Sequence, residues 1–192
     1  MKALLKKLLS VISLIITASF ALAYKITKSD SLFAGQGQLL SLIPGKIGSY
    51  LRVAYYRMTL EKCSKEAYIG FGSFFAHPEA EMGSGVYIGA YCILGVAKIG
   101  NNATIGSGVH ILSGKVQHGY KEIGKPIQEQ KGFYNKITIG ENCWIGSCAV
   151  IMANVGKQNV VGAGSVVVKE TKDYDVVAGN PAKTIKNLVE DD

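Results

Sequence analysis

Between Ile69 and Lys169 an aliphatic residue recurs about every six positions, usually with glycine directly after it. The clearest marks are Ile88-Gly89, Leu94-Gly95, Ile99-Gly100, Ile105-Gly106 and Ile111, resuming at Ile139-Gly140, Ile145-Gly146, Ile151, Val161-Gly162 and Val167. Weaker marks precede them at Ile69, Phe75 and Met82. A second row lies two residues before each main mark: Val86, Cys92, Ala97, Ala103, Val109, Ile137, Cys143, Ala149, Asn159 and Ser165, mostly small. A helix would repeat its apolar face at three and four. Two inward residues per six, two apart, fit a short strand with alternate side chains pointing in. The glycine after each mark is expected to let the chain turn a corner. Self-similarity of this kind predicts a solenoid, and a period of six predicts a parallel β-helix.

Ile139-Gly140-Glu141-Asn142-Cys143-Trp144-Ile145-Gly146, then Gly162-Ala163-Gly164-Ser165-Val166-Val167, then Val177-Ala178-Gly179-Asn180-Pro181-Ala182-Lys183 form an ordered set. With the repeats, this set resembles the hexapeptide-repeat acyltransferases over roughly residues 69–188. The resemblance implies an all-β solenoid, a left-handed parallel β-helix with three hexapeptides per coil, and a homotrimer. The two repeat runs then make about four coils at 18 residues each, a short prism given strand spacing of ~4.8 Å.

The expected organisation is a hydrophobic leader or anchor over 1–30, an amphipathic helical region over 31–66, repeats over 67–170 and a tail over 171–192. Met1-Lys2-Ala3-Leu4-Leu5-Lys6-Lys7 opens the chain, and an uncharged run follows from Leu8 to Tyr24. A helix there would span about 25 Å, marginal for a bilayer. Ala21-Leu22-Ala23 after a basic start also fits an export signal. A second apolar run breaks at Pro44-Gly45. Ile47, Leu51, Ala54, Tyr55 and Met58 then recur at three and four, with Arg52 and Arg57 between them. That pattern predicts an amphipathic helix, lying on a membrane or capping the open end of the solenoid. An interfacial or re-entrant anchor on the cytoplasmic face of the inner membrane is the expected arrangement, with export as the alternative. Pro181 predicts the start of a short C-terminal helix, and Glu190, Asp191 and Asp192 read as frayed and solvated.

The net charge of +7 suits a basic surface. No nucleic-acid motif is present and the basic residues are scattered. The four cysteines have no Cys-x-x-Cys spacing, which argues against a zinc site on sulfur. Cys92 and Cys143 fall in the small inward row and read as core, while Cys63 reads as lying before the repeats.

The repeats pause over 113–136, and a long excursion from a regular solenoid is usually functional. His118 sits at its start, after Val109-His110-Ile111. The resemblance implies a catalytic histidine at such a place. An acceptor hydroxyl is a poor nucleophile until its proton is removed, and a neutral imidazole can accept it at physiological pH. His110 reads as outward and able to line the site, and His77 as structural. Trp144, the only tryptophan, also reads as outward, and the resemblance puts it beside the acyl-transfer site. For coenzyme A the resemblance implies Gly146, Ser147, Gly162, Ala163, Lys169 and Lys186, with Lys183 as a further candidate for the phosphates. The family often has threonine before its lysine where this chain has Val168. The reaction implied is acyl transfer, with acetyl-CoA or another acyl-CoA as donor and no metal. The acceptor implied is a sugar hydroxyl of a surface glycan or its lipid-linked precursor, with an amino sugar as the alternative. Two remoter readings are a zinc carbonic anhydrase using His77, His110 and His118, and a noncatalytic scaffold. Ile151 to Val161 spans ten rather than twelve, predicting a tightened corner at 153–158.

Overall fold

A computed structural model describes residues 2–190. Three helices come first: α1 (Lys2–Thr27), α2 (Asp30–Ser41) and α3 (Gly45–Thr59). Ser29 caps α2, its Oγ accepting the Leu32 N–H at 3.3 Å. Short strands then stack in parallel on three faces of a prism. The first coil is β1 (Lys62–Cys63), β2 (Tyr68–Ile69) and β3 (Phe74–Phe75). The second is β4 (Glu81–Met82), β5 (Tyr87–Ile88) and β6 (Ile93–Leu94). The third is β7 (Ala97–Ile99), β8 (Thr104–Ile105) and β9 (His110–Ile111). The fourth is β10 (Ile137–Ile139), β11 (Trp144–Ile145) and β12 (Val150–Ile151). A fifth coil enters through Val155, bridged to Ile139, and continues in β13 (Val160–Val161) and β14 (Val166–Val167). On the second face β15 (Asp175–Gly179) begins a sixth coil and turns back as β16 (Ala182–Asn187), antiparallel to it.

Every mark and every residue of the second row that the period predicts is buried. The solenoid is longer than the expected four coils because the residues that open its first and fifth coils are not among the clear marks. Cys63 is the inward residue of the first coil, followed by Ser64, and Val155 holds that place in the fifth. The predicted C-terminal helix is a β-hairpin instead. Pro181 sits in the turn between β15 and β16. Asp175, buried at the top of the stack, accepts hydrogen bonds from the Lys172 N–H at 3.0 Å and Asn187 Nδ2 at 2.9 Å. The second of these requires an extended return strand. Asn159 below it accepts the Asp175 N–H at 2.9 Å, so the polar member of the inward row belongs to a polar plug closing that end. Glu190 is exposed as expected, and the reading of Asp191 and Asp192 lies outside the described residues.

The spacing between marks differs by corner. From first to second face it is six each time: Cys63 to Ile69, Met82 to Ile88, Ile99 to Ile105, Ile139 to Ile145, Val155 to Val161. From second to third face it is again six, as in Ile88 to Leu94 and Ile145 to Ile151. From third back to first it runs seven (Phe75 to Met82), five (Leu94 to Ile99), twenty-eight (Ile111 to Ile139) and four (Ile151 to Val155). The glycine after each mark has a different job from the one expected. A Cβ on Gly100 would stand 2.6 Å from the Glu141 nitrogen, and one on Gly146 2.5 Å from the Ala163 nitrogen. That glycine therefore lets the next coil approach. The left-handed turn comes two residues later, at Asn102, Asn142, Tyr91 and Cys148, with φ of 56° to 60°.

The helices close the other end. α3 packs over the first coil: Tyr56 Oη accepts the Phe75 N–H at 3.0 Å, and Ser49 Oγ accepts the Ile69 N–H at 3.1 Å. Arg52, expected on a polar face, is fully buried. Its guanidinium donates to the carbonyls of Leu40, Ser41 and Ile43 at the end of α2, and through Nε and Nη2 to Ile69 of β2. The last carbonyls of a helix have no partner within it, and this cation supplies one. Burial pulls its pKa down from the usual arginine value. Of the two expected roles for this helix, the cap is the one observed. α1 packs on α3 and buries Ser13, Thr17, Ala21 and Tyr24, the last with its ring 5.3 Å from that of Phe33 in α2.

Candidate active site

The residues singled out by sequence stand at three places on the prism. Trp144 lies outward on the second face, between Thr104 of β8 and Val160 of β13, and is 58% exposed. Gly146 and Ser147 follow it at the corner between second and third faces, with Gly162 and Ala163 one coil above. His110 lies on the third face between Ile93 and Val150, half-buried. His118 is at the third-to-first corner, on the excursion between β9 and β10, with its side chain exposed. Lys169 is at that same corner two coils further on. Lys186 is on the return strand β16, paired with Val176, and Lys183 pairs with Ala178. One chain thus brings together Trp144, Gly146, Ser147, Gly162 and Ala163. It does not bring His118 or Lys169 to them, because another face of the prism intervenes.

The excursion is held by its own polar groups. Gln130 is buried within it; its Nε2 donates to the carbonyls of Glu122 and Lys125, both at 2.9 Å, and its Oε1 accepts the Glu122 N–H at 3.0 Å. The two legs meet where the Phe133 N–H donates to the Val116 carbonyl at 2.7 Å and the Asn135 N–H to Ser113 at 2.9 Å. The returning leg packs downward along the corner. Tyr134 sits 5.0 Å from His77, ring to ring, and Lys136 Nζ reaches Glu61 at 2.7 Å and Glu81 at 2.9 Å. The Lys136 ammonium holds the Glu81 carboxyl below the usual carboxylate range, and the two carboxylates raise the lysine. His77 is accordingly a packing residue. Gln130 and Lys136 were not singled out from sequence, since a glutamine and a lysine in a polar loop carry no distinguishing local signal.

The corner beside Trp144 offers donors. The N–H groups of Ser147 and Ala163 have no acceptor among the described residues, while Gly146 and Gly162 donate to the next coil at 2.8 Å. Those glycines are explained by coil stacking, so the neighbouring exposed N–H groups are what this corner can offer an amide-bearing ligand. Cys148, exposed at the same corner, differs from the other three thiols. Burial pushes Cys63 up to about 12 and raises Cys92 and Cys143. Cys143 Sγ donates to the Gly156 carbonyl at 3.0 Å and Cys92 Sγ to Gly106 at 3.1 Å. Among the described residues no three His, Cys, Asp or Glu side chains group as metal ligands.

Comparison with known proteins agrees with the repeats. Residues 79–113 match the family profile described as bacterial transferase hexapeptide (six repeats), and residues 136–169 the hexapeptide repeat of succinyl-transferase. The chain thus carries two stretches of transferase-type hexapeptide repeat, as the resemblance implied. Serine acetyltransferase 2 of Arabidopsis thaliana is 39% identical over 119 residues, covering 60% of this chain and 33% of that protein. The chain spans about a third of the length of the first curated relatives it matches. Among solved structures, a maltose O-acetyltransferase from Clostridium difficile superposes with a TM-score of 0.71 at 21% identity, covering 81% of this chain and 84% of the other. A hexapeptide-repeat acetyltransferase from Vibrio cholerae complexed with acetyl coenzyme A gives 0.68 at 18% identity, covering 81% and 85%. These likenesses establish the fold.

Proposed function

We propose that the protein transfers an acyl group, an acetyl in the first instance, from acyl-CoA to a sugar hydroxyl of a surface glycan or its lipid-linked precursor. The observation that carries this reading is the excursion at the third-to-first corner, internally braced by Gln130 and bearing one exposed imidazole, His118. His118 takes the proton of the acceptor hydroxyl as the oxygen attacks the thioester carbon. The C–O bond forms, the C–S bond breaks, and the imidazolium returns the proton to the departing thiolate. The unpaired N–H groups of Ser147 and Ala163 suit the amides of the pantetheine arm, and Lys169 or Lys186 its phosphates. Relatives bearing the names serine and maltose acetyltransferase support the reaction class, and the complex with acetyl coenzyme A supports the donor.

The site takes a homotrimer to complete. Trp144 and the donor corner lie one face away from His118, and a neighbouring prism turned by a third of a revolution unites the two corners. The 58% exposed Trp144 and 46% exposed Tyr87 on the second face favour such cover. The exposed apolar side of α1, with Ile15 and Leu22 outward, favours a seat in a membrane, which we take to be the cytoplasmic face of the inner membrane, and Lys6–Thr27 is long and apolar enough to cross one. The test is CoA release by full-length protein against a panel of free and lipid-linked glycans, with oligomer size measured in the same preparation. Turnover with a sugar hydroxyl by a trimer is expected. Full activity of monomers, or activity only towards amines, overturns the respective part.

A further inference from the structure

A groove of about 450 Å³ lies where the N-terminal half of α1 meets α3 and the first-to-second-face corner of the first coil. Four cations converge on it: Lys6 and Lys7 from α1, Arg57 from α3 and Lys65 from the coil. None of the four is in an ion pair among the described residues. The single acid there, Glu66, accepts a hydrogen bond from Ser84 Oγ at 3.0 Å. Val11 and Leu14 form the apolar wall, and Val11 continues into the exposed face of α1 through Leu8 and Ile15. A cluster of unneutralised cations opening onto an apolar track fits a molecule that is anionic at one end and aliphatic at the other.

We propose that this groove binds the head-group phosphate of an anionic phospholipid, with one acyl chain along Val11 and Leu14. Arg57 is held on α3 and presents a planar fork to two phosphate oxygens, while the lysines act as point charges. A soluble anion would use the cations and leave the apolar wall idle. The proposal rests on the membrane reading of α1, and the two fail separately. Flotation of the full chain with phosphatidylcholine vesicles tests that reading; the groove is tested without a bilayer.

The full-length protein in neutral detergent is titrated with dioctanoyl phosphatidylglycerol, dioctanoyl phosphatidylcholine or inorganic phosphate, following the thermal unfolding midpoint. Phosphatidylglycerol is expected to raise the midpoint and to bind at least tenfold more tightly than phosphatidylcholine. Lys65→Gln and Arg57→Gln are each expected to weaken it about fivefold, near the worth of one basic residue at an anionic surface. Each variant is read against its own unliganded midpoint, so a loss of stability in Arg57→Gln does not confuse the result. Equal binding of the two lipids overturns the proposal, and so does an equal effect of inorganic phosphate. A loss in Lys98→Gln, on the first face, as large as that in Lys65→Gln also overturns it.

Discussion

Two corners of this prism repeat without variation and the third does not. At the first and second turns each coil advances by six residues, and the glycine that follows most marks there lies where a Cβ would meet the backbone of the coil above. At the third turn the advance ranges from four residues to twenty-eight. Backbone-to-backbone approach enforces the period where it occurs. At the third turn the marks are followed by Ala76, Leu112, Met152 and Val168, with Gly95 the one glycine, and the chain has put its excursion there. The excursion that bears His118 thus leaves from the one corner whose length varies.

That division can be broken by experiment. His118→Ala, at the free corner, is expected to lower turnover by roughly 10²–10⁴-fold with an unchanged unfolding midpoint. Activity within threefold of the parent would take His118 out of the mechanism. Gly100→Ala, at a fixed corner, is expected to destabilise the fold by about 3 kcal/mol, because its Cβ meets backbone rather than a movable side chain. Urea unfolding measures this, and a cost below about 1 kcal/mol would refute the stacking argument.

Cys143→Ser sharpens the comparison within a fixed corner. Ser73, the third-face counterpart of Cys92, already donates its Oγ to the Gly89 carbonyl at 2.7 Å, as Cys92 does to Gly106. A hydroxyl at 143 inherits the Gly156 carbonyl, so the cost is expected to be about 1 kcal/mol, near that of one hydrogen-bonded polar exchange. In the parent, Cys148 is expected to be the thiol alkylated in the folded state at pH 8, and rapid labelling of Cys143 would contradict its position.

The smallest effect is at the foot of the excursion. Lys136→Met is expected to cost about 0.5 kcal/mol at pH 7, a discounted value for a partly exposed pair. The folded-state pKa of Glu81 is depressed, so its contribution is present above the unfolded carboxylate value and lost as pH falls through the folded one. Lys136 is raised, so its contribution is complete below the ordinary lysine value and lost at higher pH. The cost should therefore shrink as pH falls through the depressed Glu81 value, and a difference that persists unchanged across the acid limb would assign it to packing.

The inward rows were legible in sequence residue by residue, because a period of six admits one register. The first and fifth coils were less so: Cys63 and Val155 hold marks, and Cys63 is followed by Ser64 in place of glycine. Proline at the tail suggested a helix start, yet its neighbours had to complete hydrogen bonds to the buried Asp175, a demand invisible along the chain. Arg52 was read as solvent-facing because a charge between apolar residues usually is. The carbonyls that hold it belong to α2 and β2, distant in sequence. For the site, Trp144 and the donor corner could be read together, but that another face separates them from His118 depends on counting corners.

The buried guanidinium of Arg52 has a mechanical meaning. It ties the end of α2 and the first coil to one side chain of α3, so the solenoid is bolted to its helices and cannot swing on a tether. The third coil, which launches the excursion, therefore stands two strand spacings above the first, a rise of ~10 Å. With α1 seated in lipid as proposed, the loop and the bilayer would be held at one fixed separation by this joint.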